Sequence, residues 1–260
     1  MSLSLIDLSI IVPALAAGVL VLATHVPMGR EVLSRGIIFI DLAIAQVAGL
    51  GVIAADFLHF SSDNPWVVQI SAGIAALLGA MLLTWTEKKF PEMQEALIGG
   101  LFALAATGSI LLLTNNPEGG EHLKDLLVGQ ILWVSLKSLI PVAVLYALIL
   151  AAWFRLRSRL GRIGFYVLFS LAVTASVQLV GVYLVFASLI MPALAVRGMP
   201  EKRGLAAAFV LGVAAYAAGL VLSTVFDLPS GALIVWCLAA CAVIMACMRS
   251  LMNGKREARD

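Results

Sequence analysis

Charge is what this sequence most conspicuously lacks. Only 12% of its 260 residues are charged, whereas 62% are hydrophobic. Soluble globular domains carry about 25% charged and about 45–50% apolar residues. So few charges cannot cover a water-soluble fold of this length, and the surplus apolar surface has to face lipid. No polar stretch is long enough for a separate soluble domain. Residues 1–250 therefore read as a single transmembrane domain, with a short basic tail at 251–260.

Other absences narrow the function. There is no GxxxxGK[ST] run, so the chain has no P-loop with which to hydrolyse ATP. HExxH and GxSxG are also missing, which argues against the commonest membrane-bound hydrolases. The three cysteines, Cys237, Cys241 and Cys247, all fall in the last apolar segment and form no CxxC pair. They outline no disulfide framework; Cys237 and Cys241, one helical turn apart, could hold a soft metal, but small residues packing a helix is the simpler reading. No basic residue precedes Arg30. The first apolar run thus lacks the charged leader of a secretory signal and reads as an uncleaved helix with its N-terminus outside.

The charges that are present are sorted. Arg30/Arg35, Lys88/Lys89, Arg155 to Arg162, Arg197/Lys202/Arg203 and Arg249 to Arg259 form basic clusters. The intervening loops are acidic or neutral: Asp56 to Asp63, Glu118 to Asp125, and the turn around Asp227. The positive-inside rule puts the basic clusters and the C-terminus in the cytoplasm and the acidic loops outside. Each basic cluster is a short loop between apolar runs rather than one basic face, which speaks against nucleic-acid binding.

A helical span needs about 20 apolar residues. Leu5–Thr24, Gly36–Phe57, Trp66–Trp85, Ala96–Thr114, Leu139–Phe154, Leu205–Val221 and Gly231–Met248 meet or approach that length. Helix is the expected state, because lipid cannot satisfy open strand edges. Gly164–Val196 is too long for one span and too short for two with a loop. Either it is one long tilted helix, or it breaks at Gln178–Gly181 into two pieces whose basic flanks share a side. A break at membrane depth is tolerated only where protein buries it or it lines a wet cavity. Glu121–Ser138 is amphipathic at its start and fits an interfacial segment. The expected architecture is all-α, with eight or nine crossings.

Three stretches then resemble the permeases of the metal-ion (zinc, manganese, iron) family of ATP-binding cassette importers. Gly29–Gln46, continuing to Gly51, is similar to the family's basic turn and second helix. Leu127-Val-Gly-Gln-Ile-Leu-Trp-Val-Ser135 looks like Leu-Phe-Gly-x-Ile-Leu-x-Val-Ser. The most specific runs from Val180-Gly-Val-Tyr-Leu-Val to Leu189-Ile-Met-Pro-Ala-Leu-Ala-Val-Arg197. The family's second helix usually carries Asp-x-x-x-His, a pair stacked on one face. Here Asp41 and Gln46 are five apart, and at 100° per residue they point about 140° apart. The imidazole is missing, which leaves an oxygen-rich transit site or ligands from other helices.

An ionisable group inside a span is functional by default, since its burial costs roughly 2.5–3.5 kcal/mol. Asp41 is therefore a candidate for the ion path, the plain alternative being an interface residue paired with Arg35. Gln46 and Gln178 are ion-path candidates whose simpler role is interhelical hydrogen bonding. Asp56 and His59 mark an outer entrance that would attract a cation, although outer loops are polar in any case. By resemblance, the turn carrying Arg197, Glu201, Lys202 and Arg203 is where a permease seats on its ATPase.

The resemblance implies a non-enzymatic permease in a bacterial inner membrane, working as a homodimer with separate ATPase subunits and a metal-binding solute-binding protein. The chain itself would hold no cofactor. Its cargo would be a divalent metal ion, zinc first and manganese or iron next. The rival reading is a secondary carrier for a metal ion or small solute.

Overall fold

The computed structural model describes residues 8–58, 65–114 and 127–257, and among these nearly everything is helix. The reason is the sequence's long apolar runs, whose backbone groups can be satisfied in lipid only within each segment. The helices are α1 (Leu8–Arg35), α2 (Ile40–Phe57), α3 (Pro65–Lys89) and α4 (Gln94–Leu113). A continuous stretch, Leu136–Val180, then breaks at Gly161, whose φ of 54° and ψ of −158° are not helical. Its two arms are spans α5 (Leu136–Leu156) and α6 (Arg159–Val180). The series ends with α7 (Val182–Ala195), α8 (Glu201–Phe226) and α9 (Ser230–Glu257).

Eight of these helices are long and apolar enough to cross a membrane, while α7, of 14 residues, is the short one. The ambiguous 164–196 segment takes the broken form rather than that of one long helix. It breaks at Gly181 (φ 80°, ψ 163°), with a full span, α6, before the break and the short α7 after it. Of the segment Glu121–Ser138, expected to be interfacial, the amphipathic start at 121–126 lies outside the described residues. Within them, a 3-10 turn at Ile131–Trp133 leads into α5, whose start is closed by a Ser135/Ser138 capping box.

Two groups of helices share the core. α2 packs on α3 and α4, whereas α1 packs on α7 and α8, and α9 closes against α7 and α8. The α5–α6 pair joins the groups by touching α1, α2 and α3. Small residues permit the close approaches that membrane helices rely on. A Cβ on Gly29 would fall 2.0 Å from the Leu189 carbonyl oxygen, so α1 and α7 meet with no side chain between their backbones at that point. Many large apolar side chains point outward instead, among them Ile70, Ile74 and Leu78 on α3 and Ile140, Val144 and Leu148 on α5. Lipid or partner protein is the surface on which they belong.

The basic helix ends collect at one end of the bundle. The Arg35 guanidinium lies 4.3 Å from the Phe165 ring centroid, and Arg162 Nε is 3.6 Å from Glu87. A buried amide, Gln94, ties that end together. It accepts from Thr86 Oγ1 at 3.0 Å and donates to the Leu83 carbonyl at 3.0 Å and to Tyr166 Oη at 3.3 Å.

Candidate functional site

α2 is enclosed, and Asp41 stands in its first turn rather than the one and a half turns inside that the apolar pattern suggests. The turn at Gly36 ends α1 late, so α2 begins only at Ile40. The side chain is 1% exposed, and neither carboxylate oxygen has a partner of hydrogen-bond geometry among the described residues. Only the amides of Leu42 and of Asp41 itself, at the positive end of the helix, interact with it. The expected alternative, pairing with Arg35, does not occur. Arg35 turns to Glu31 on its own helix, Nη2 to Oε1 at 2.9 Å, and to the Phe165 ring.

Just before Asp41, Phe39 stacks on Phe186 of α7 with centroids 6.1 Å apart and planes within 10°. Its backbone amide donates to Glu95 Oε1 at 3.3 Å. The start of α2 is thereby fixed to both α7 and α4.

Gln46 is buried, at 8% exposure, on the same unbroken helix. The intact helical register keeps it on a different face from Asp41, so the two do not form one pair of ligands. Gln178 lies in the last turn of α6, where its Oε1 accepts a hydrogen bond from Gln69 of α3. Its own Nε2 is buried without a partner among the described residues. Interhelical bonding thus does describe Gln178, but only half of its capacity is used. Asp56 is exposed at the end of α2, while His59 lies outside the described residues. Among the described residues, no group of three or more His, Cys, Asp and Glu side chains comes together.

The α7–α8 turn presents Arg197, Glu201, Lys202 and Arg203 to solvent. Two arginines from distant helices hold it. Arg30 Nη2 donates to the Met199 carbonyl at 3.2 Å, and Arg249 Nη1 donates to the Ala195 carbonyl at 2.9 Å. In the sequence, both are only members of basic clusters. Nothing in the linear pattern marks a cation that reaches a carbonyl far along the chain. The same is true of two hydroxyl pairs in the core, Tyr146–Ser176 at 2.5 Å and Tyr216–Ser188 at 2.7 Å.

Comparison with known proteins gives a consistent answer. The sequence pattern of the family described as "ABC 3 transport family" matches residues 7–165 and 155–249. The manganese transport system membrane protein MntC of Halalkalibacterium halodurans is 27% identical over 254 residues, covering 89% of this chain and 84% of that protein. An uncharacterised membrane protein of Synechocystis sp. is 27% identical over 249 residues, covering 85% and 84%. The fold is shared with PsaBC from Streptococcus pneumoniae, solved in complex with Fab. That likeness has a TM-score of 0.71 and 21% identity, and covers 91% of this chain and 89% of that one. With a matching pattern that spans almost its whole length and an all-helical bundle of eight long apolar helices, this chain belongs to the ABC 3 transport family, as a transport-type membrane subunit rather than an enzyme.

Proposed function

We propose that the chain is the membrane-spanning permease subunit of an ATP-driven importer for a divalent metal ion. The observation that carries this reading is Asp41, a carboxylate enclosed in a transport-family bundle with no cation or donor side chain among the described residues to balance it. A buried carboxyl without a counter-charge takes up a proton or needs a mobile cation to meet it, and an ionisable group inside a span is functional by default.

Manganese is the leading cargo. The polar groups on α2 are oxygen donors, Asp41 and Gln46, and carboxylate and carbonyl oxygens suit harder ions better than zinc. Similarity to a manganese transport system protein supports the same choice. Zinc, the first expectation from the sequence resemblance, and iron are the next cargoes to test.

Two copies of the chain would surround the path in a bacterial cytoplasmic membrane. The basic end would face the cytoplasm, with the N-terminus outside and the C-terminus inside, in keeping with the charge distribution. Two ATPase subunits would seat on the exposed turn with Arg197, Glu201, Lys202 and Arg203, and a solute-binding protein would deliver ions at the opposite end. Asp56 and His59 would belong to that entrance.

The test is uptake into proteoliposomes that contain the chain and its co-purified ATPase, with ATP on the cytoplasmic face and manganese, zinc and iron supplied in parallel. ATP-dependent accumulation of one ion establishes the class and names the cargo. Uptake that ignores ATP and tracks an imposed ion gradient would make the chain a secondary carrier.

A further inference from the structure

A cleft of ≈ 640 Å³ opens between α3, α5 and α6. Three carboxamides from three separate elements converge on it: Gln69 of α3, Gln178 of α6, and Gln130 just before the 3-10 turn. Ser138 of the first turn of α5 adds a hydroxyl, and Trp66 and Trp133 flank the cleft. These residues lie at or near the starts of α3 and α5 and the end of α6, so the cleft opens at the end of the bundle opposite the basic clusters.

Resting on the importer reading, we infer that this cleft is the vestibule in which a hydrated divalent cation first exchanges part of its water shell for carboxamide oxygens. Each glutamine offers a neutral, hard oxygen donor of the kind that manganese accepts. The Gln69–Gln178 hydrogen bond ties α3 to α6 at this end of the bundle, and Nε2 of Gln178 is buried with nothing among the described residues to donate to. Turning the Gln69 and Gln178 amides toward an ion would sacrifice that bond.

Among the described residues, no charged side chain lines the cleft. A dication therefore finds oxygen donors without the counter-charge that would trap it, which is the condition for transit rather than storage.

The experiment uses the assembled transporter in proteoliposomes, with manganese as the probe. Gln69→Leu and Gln178→Leu are each expected to raise the KM for manganese about fivefold, with kcat within about twofold, the scale of one lost polar contact. Gln130, which is exposed, tolerates a second approach. In a chain whose Cys237, Cys241 and Cys247 are replaced by alanine, Gln130→Cys should react with a membrane-impermeant thiol reagent, and manganese should slow that labelling about fivefold. An unchanged KM in both leucine variants overturns the inference. So does labelling that manganese does not slow, or no labelling at all because lipid chains fill the cleft. Failure of the wild-type transporter to accumulate any metal with ATP would instead sink the importer reading, and the labelling arm would still report on the cleft.

Discussion

Arg249 reaches from α9 to the C-terminal turn of α7, where its Nη1 donates to the Ala195 carbonyl at 2.9 Å. The contact joins residues far apart in the chain and places a cation where the negative end of the α7 dipole favours it. Arg30 makes the matching contact from α1 to the Met199 carbonyl. Between them, the two arginines clamp the turn that exposes Arg197, Glu201, Lys202 and Arg203.

If that turn carries the load of an ATPase, loosening the clamp should weaken coupling. Arg249→Met keeps the apolar stem and removes the donor. Titration of the detergent-solubilised chain with ATPase subunits should show affinity reduced about fivefold, the scale of ~1 kcal/mol. Affinity equal to wild type would mean that the turn holds its shape without the clamp.

Asp41→Asn removes the enclosed ionisable group while preserving volume and hydrogen-bonding capacity. Metal uptake should fall at least about tenfold while the protein level in the membrane stays constant or rises, because a neutral amide costs no more to enclose than an ionisable carboxyl. Quantitative immunoblotting beside the uptake assay separates the two effects. Wild-type uptake by this variant would remove Asp41 from the ion path.

Gly181 has φ of 80°, and a Cβ there would meet the Gly129 nitrogen at 2.4 Å. Gly181→Ala thus combines left-handed strain with a backbone clash that no side-chain rotation relieves. Strain of this kind costs on the order of 1–3 kcal/mol before the clash is counted. A thermal-unfolding midpoint lowered by several degrees in detergent is the expected reading, and an unchanged midpoint would show that the 128–130 segment can move aside.

Tyr216→Phe deletes the hydroxyl that bonds Ser188 and leaves the ring against Gly18. Interhelical hydrogen bonds in membranes average about 0.6 kcal/mol, so the loss should be small. Ser188 keeps its bond to the Leu184 carbonyl at 2.6 Å and is not stranded. Thermal stability close to wild type with reduced transport would assign the Tyr216 hydroxyl to the ion path. A matching loss of both would make it a packing contact.

Much of the architecture was legible in the linear sequence because lipid imposes two simple rules. Apolar runs must be helices, and basic residues gather at the loops of one side, so the eight long helices and the gathering of basic ends come from local composition alone. The break at Gly181 was also visible, since glycine after a polar Gln178 interrupts an overlong run. Its position was readable, whereas the unequal lengths on either side depended on α6 beginning at Arg159, beside the kink at Gly161. The missing imidazole on α2 was equally plain from spacing. What Asp41 faces was not, because partnership is a property of space. Only the packed bundle turned Arg35 toward Glu31 and Phe165 and left the carboxylate without a cation beside it among the described residues. Likewise, Gln69, Gln130 and Gln178 read separately as ordinary polar residues, and only the meeting of three distant segments makes them one cleft. Composition determined that this chain lives in a membrane and how its helices run. Tertiary packing decided which of its few polar groups are satisfied by neighbours and which, among the described residues, are not.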